Sequence, residues 1–171
     1  MSSCMTFVFR TAIALLFAAS AFAQTPSSAP PSYRFASGGA ALNIPVELVA
    51  NGLVFVRAKV NGHPGWFILD NASQGFAVDR DYARPISLDA SGSAPARTGG
   101  SDSIQAGIVS DVQIGLPGLD LTHRSLVVLG LKPIEPAVGH EVDGIIGSRL
   151  FDDFVVEVDY ATSSPIAASA F

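Results

Sequence analysis

Apolar positions from Ile44 onward come in short runs, some alternating with polar residues, and no run is long enough for a substantial helix. Val46-Glu47-Leu48-Val49 is followed by Leu53-Val54-Phe55-Val56, which continues to Val60. β-Branched and aromatic side chains dominate both runs, as suits a pleated surface buried on at least one face. Asn51-Gly52 and Asn61-Gly62 punctuate them, because Asn and Gly accept the positive φ of tight turns. The next apolar run, Gly65-Trp66-Phe67-Ile68-Leu69, stops abruptly at Asp70.

Beyond it, Asp79 to Ala83 predicts one helical turn, and the small residues, Pro and Gly of Pro85 to Ser103 read as loop. Gly107 to Ile114 and Leu119 to Leu129 predict two strands joined by a turn at Gly115 to Gly118. Val142 to Ile146 predicts another strand, ending at Gly147, and Ser148 to Phe151 a short helix. Phe154, Val156, Val158 and Tyr160 then alternate with Val155, Glu157 and Asp159, the period of two expected of a strand. Short strands between turns, with one or two short helices, predict a mainly β domain, closed or sandwiched.

The two ends read differently. Arg10 precedes an apolar run from Thr11 to Phe22, and Ala21-Phe22-Ala23 has the small-x-small form of a signal-peptidase site. That run is shorter than the roughly 20 residues of a membrane-spanning helix. Residues 1–23 are therefore expected to be a cleaved secretory signal, which places the protein outside the cytoplasm, periplasmic or secreted, with no stable membrane anchor. Residues 24–43, rich in Ser, Pro and Ala, are expected to be a flexible lead-in, 44–160 the domain, and 161–171 an irregular tail.

Composition narrows the function. Cleavage after Ala23 removes the one cysteine, Cys4, and with it any disulfide or thiolate metal site. It also removes Arg10 and no acidic residue, taking the formal charge from −5 to −6. An acidic chain whose only lysines are Lys59 and Lys132 lacks the clustered cations that bind nucleic acid. His63, His123 and His140 have no partners at metal-ligand spacing, so neither metal nor cofactor is expected. Trp66 and the Phe residues near it read as core.

Asp70 needs an explanation, because a carboxylate at the end of a buried strand is costly without a partner or a purpose. Capping of the following turn is the simplest one. A second comes from the surrounding residues. Phe67-Ile68-Leu69-Asp70-Asn71-Ala72-Ser73 resembles the apolar-apolar-Asp-Thr-Gly-Ala-Ser motif of retropepsin-like aspartic proteases. Ile44-Pro45-Val46-Glu47-Leu48 and the Asn61-Gly62 hairpin resemble the first strands of exported bacterial members. Asp143-Gly144-Ile145-Ile146-Gly147, followed by Ser148-Arg149-Leu150-Phe151, resembles their second landmark. Phe154 to Tyr160 resembles their closing strand.

The resemblance implies a single-lobe retropepsin-like acid-protease β-barrel and an aspartic-type endopeptidase. Asp70 would be the catalytic carboxylate and Asn71, Ala72 and Ser73 its loop, with Ile145, Ile146 and Gly147 beside it. Gly99, Gly100 and Ser101 would form a flap over a peptide or unfolded-protein substrate. One Asp-containing loop per chain implies a homodimer that supplies the second carboxylate by symmetry. Asn71 stands where the family has Thr or Ser, and Ala72 where it has Gly. These departures leave a second reading open, that of a catalytically impaired peptide-binding or interaction module; a half of a two-lobe protease is a third. Asn71-Ala72-Ser73-Gln74-Gly75 also approaches the nucleophile elbow of serine hydrolases, but that motif needs a helix after it, and the residues following Gly75 read as extended.

Overall fold

The computed structural model describes residues 29–39, 41–49, 52–90, 93–97, 103–160 and 166–170. The signal segment and the flap residues Gly99, Gly100 and Ser101 lie outside them.

Six strands close into a ring. β4 (Leu53–Val60) pairs antiparallel with β5 (His63–Leu69), β5 parallel with β10 (Gly144–Ile146), and β10 antiparallel with β6 (Phe76–Asp79). β6 then pairs parallel with β9 (Leu119–Leu129), β9 antiparallel with β8 (Ser103–Leu116), and β8 returns to β4. Closure leaves these strands few unpaired edges. β1 (Ser32–Phe35) extends the sheet at β9, β3 (Val46–Val49) at β4, and β7 (Ser93–Arg97) at β8.

The alternation seen in the sequence decides what faces inward. Val54, Val56, Ala58 and Val60 of β4 and Phe67 of β5 point into the main core with Val78, Leu121, Leu126 and Ile146. Phe55 and Ile68, one residue out of step, point the other way and form a smaller cluster with Leu131 and Val142. The chain from Leu131 to Val142, carrying α2 (Glu135–Val138), thus covers one half of the outer face of β4 and β5. The Asn61-Gly62 turn forms as expected, with φ of 49° and 86°. The Asn61 side-chain oxygen accepts from Gln113 N at 2.9 Å, tying the turn to β8.

Three expectations about irregular segments do not hold. The lead-in 24–43 contains β1 and most of β2 (Ala41–Ile44), and the loop Pro85 to Ser103 contains β7. The tail 161–171 contains β12 (Ile166–Ala170), the central strand of a separate sheet between β2 and β11 (Phe154–Glu157). One physical reason serves for all three. Small residues and Pro signal no strand by themselves, but neighbouring strands offer backbone partners that override weak local propensity. The helices are α1 (Arg80–Ala83), α2 and α3 (Arg149–Asp153), one more than expected. Among the described residues no helix is long and apolar enough to cross a membrane.

Candidate active site

Consecutive strands β5 and β6 do not pair with each other, because β10 lies between them. Residues 70–75, which join them, must therefore arch over the end of β10, where the chain leaves at Gly147. Asp70 N donates to Ile146 O at 3.0 Å, fixing the first residue of the arch to the last of β10. Ser73 N donates back to Asp70 O at 3.2 Å, and Ser148 N to Ser73 O at 2.7 Å. The Ser148 hydroxyl donates to Gln74 O at 3.1 Å. The arch is held from below along most of its length.

Gly147 is buried directly beneath it, and a Cβ at that position would overlap the carbonyl oxygens of Gly75 and Ser73. The second landmark of the sequence is thus a backbone platform. Gly144, three residues earlier, obeys the same constraint, packed against the Phe67 ring and Ala77 O.

The Asp70 side chain is half-buried, and its Oδ1 accepts from Ala72 N at 2.9 Å. Turn capping and presentation of a carboxylate are therefore combined: one oxygen holds the arch, leaving the other to other partners. Ala72 does not have positive φ, so its side chain adds no backbone strain where the family has Gly. Asn71 and Ala72 are exposed and Ser73 is half-buried. The residue after Gly75 begins β6, not a helix, which removes the nucleophile-elbow reading of Ser73.

The histidines lie elsewhere. His140 sits over Phe55 (ring centroids 4.2 Å apart) and against Trp66 (4.8 Å), and His123 Nδ1 pairs with Asp111 at 2.7 Å. His63 is exposed, and its carbonyl accepts from the Tyr82 hydroxyl at 2.5 Å.

Among the described residues two carboxylates are buried, which the sequence did not announce, and both are occupied. Asp79 accepts from Leu131 N (2.6 Å), Asp81 N (2.8 Å) and Lys132 N (3.2 Å). Asp143 accepts from Trp66 N at 2.9 Å and lies 3.6 Å from the Lys132 ammonium, which also pairs with Glu135 at 2.8 Å. These groups pin residues 131–143 to the middle of β5, at Trp66, and to the end of β6, at Asp79. Asp79 had no distinctive signal, since it fits equally as the N-cap of α1.

Burial pushes the Asp79 carboxyl up, but the Leu131, Asp81 and Lys132 N–H groups and the Lys132 ammonium outweigh it and hold it below its ordinary value. A carboxyl depressed on folding stabilises the native state above its unfolded value of about 3.9. That contribution is lost as pH falls through the lower folded value. Asp79→Ala leaves three N–H groups without their acceptor and should cost on the order of 3 kcal/mol near neutrality. Urea titrations across pH should show that deficit shrinking in strong acid. A deficit independent of pH would remove the charge from this account.

Comparison with known proteins bears on this arrangement directly. A family model described as "Aspartyl protease" matches residues 56–150, a span that contains the arch, β10 and the start of α3. The crystal structure of a retropepsin-like aspartic protease from Rickettsia conorii matches with a TM-score of 0.54 at 14% identity. The match covers 82% of this chain and 95% of that one. At that identity the likeness speaks for the fold. None of the curated proteins matches.

Proposed function

Since this chain belongs to the aspartyl protease family, we propose that it is an exported endopeptidase in which Asp70 of one copy meets Asp70 of a second across a twofold axis. The observation that carries the proposal is the half-buried Asp70 carboxylate on an arch braced by Ile146, Gly147 and Ser148. Asp79 and Asp143, the buried carboxylates among the described residues, are committed to other donors, so neither serves as its partner. A second copy supplies the missing acid with the same geometry.

Two such carboxylates at close range do not both ionise readily, and they hold one proton jointly, the general behaviour of aspartic proteases. The ionised member takes a proton from water as the water oxygen attacks the peptide carbonyl. The protonated member donates to the carbonyl oxygen as charge develops there. The tetrahedral intermediate collapses with a proton delivered to the departing amine, and the dyad returns to its single-proton state. Substrates would be peptides or unfolded proteins, bound extended along the arch.

Cleavage of an unfolded protein substrate should peak in the acid range. It should also track the dimer fraction measured by analytical ultracentrifugation as the enzyme is diluted. Activity that stays constant per chain while the dimer dissociates would rule out a shared dyad. The identity of Asn71 and Ala72 favours one other reading, a peptide-binding module without turnover. Saturable peptide binding with no cleavage at any acid pH, in a dimer or a monomer, would select it.

A further inference from the structure

The outer face of β4 and β5 is covered only in part. At the Asp70 end, residues 131–142 and His140 close over Phe55, Ile68 and Trp66. Past Trp66 the covering stops, and a groove of about 560 Å³ opens between β4 and the turn joining β8 to β9. Its walls include Arg57, Lys59, Pro64, Leu116 and Asp120.

Arg34, Arg84, Arg124, Lys132 and Arg149 each pair with a carboxylate. Arg57 and Lys59, like Arg80 on α1, form no such ion pair among the described residues, and both are exposed; they are the two that share one strand face. The Asp120 carboxylate in the wall is neutralised by Arg34 at 2.8 Å. The groove is therefore net positive on a chain of formal charge −5. The Arg57 guanidinium lies 4.3 Å from the centre of the Trp66 ring. Stacking of this kind orders a guanidinium in advance, with its N–H edge free for an anion.

We propose that this groove binds an extended acidic peptide segment. Arg57 and Lys59 are two apart on one strand, so their side chains leave the same face about 6.7 Å apart. An extended partner presents its own alternate side chains at the same spacing, and carboxylates at alternate positions would meet both cations. The stacked Arg57 fork suits a bidentate carboxylate, and Lys59 a single-point contact. Two cations are too few for a nucleic-acid backbone, which rewards a longer array. Trp66 lies on β5 four residues before Asp70, which follows the end of that strand, about 13 Å at strand rise, so the groove is separate from the proposed catalytic carboxylate.

Trp66 is the only tryptophan in the chain and stacks with Arg57 of the groove wall, so intrinsic fluorescence reports on a change at Arg57. Titration of Asp70→Asn protein with a blocked peptide carrying Glu at alternate positions should give a saturable fluorescence change. Its Gln counterpart should bind at least ~tenfold more weakly, as should the Glu peptide to an Arg57→Gln/Lys59→Gln variant or in high salt. Lys59→Gln alone, which leaves the Arg57–Trp66 stack in place, should show an intermediate loss. Equal binding of the Glu and Gln peptides, or unchanged binding by the double variant, would overturn the proposal. Preferential binding of a thymidine oligonucleotide would also overturn it. Because the titration uses a protein without the catalytic acid, its outcome is independent of whether the chain cleaves peptides.

Discussion

An Asp70→Asn variant is expected to fold like the parent and to lose peptide cleavage by about three orders of magnitude or more. The amide keeps an oxygen that can accept from Ala72 N, as Oδ1 does now at 2.9 Å, so the turn should survive. The side chain is only half-buried, which limits the cost of changing its charge. What disappears is the ability to exchange a proton with water and with the opposite carboxylate. Thermal unfolding and circular dichroism would establish the unchanged fold, and cleavage of an unfolded substrate in acid would measure the loss. Residual activity near the parent value would remove Asp70 from the chemistry and end the dyad proposal. In mixed dimers the expectation is equally sharp, because one altered copy disables the pair; activity should fall faster than the parent fraction as the variant is added.

The second large effect is expected at Gly147, which carries no functional group. A methyl group there overlaps the Gly75 and Ser73 carbonyl oxygens, and backbone cannot yield as a side chain tip does. Gly147→Ala should displace the arch, costing on the order of 2 kcal/mol in stability and about a hundredfold in activity. Gly75→Ala is the matched control on the same arch. Nothing lies within 4 Å of a Cβ at Gly75 and its φ is not positive, so near-parental stability is expected. Chemical denaturation of the two variants in parallel would decide the matter. Equal tolerance of both would show that the platform beneath the arch is not rigid.

These two residues also show how much could be read in advance. Asp70 was visible because a carboxylate ending the run Trp66-Phe67-Ile68-Leu69 breaks the local pattern. Gly147 was visible only through the order of motifs, since nothing local says that Gly75 and Ser73 lie above it. Strands β4, β5 and β9 announced themselves by continuous apolar runs, and each has a buried face. β7 and β12 did not, because Ser-Ala-Pro-Ala-Arg and Ile-Ala-Ala-Ser-Ala carry little strand propensity, and β1 did not because its two aromatic strand formers stand in a run of only four residues after a Ser/Pro-rich stretch. Their conformation comes from the strands they pair with: β9 for β1, β8 for β7, and β2 and β11 for β12. The Asp79–Lys132–Asp143 network was hidden for the same reason: its members are acceptors and donors for backbone groups that only the closed ring brings near. That Arg57 and Lys59 form no ion pair among the described residues was equally invisible, since it depends on where the carboxylates end up.

The insertion of β10 between β5 and β6 also orders events in time. Trp66 and Asp143, which bond to each other across those strands, are 77 positions apart in the chain. A ribosome that has delivered Asp70 must add dozens more residues before the carbonyl that anchors its amide exists at all. Nascent polypeptide therefore carries the acid without its scaffold, and such long-range closure is a slow class of folding step. The braced arch cannot form until Ile146 and Ser148 have been made, a delay written into the threading of the strands.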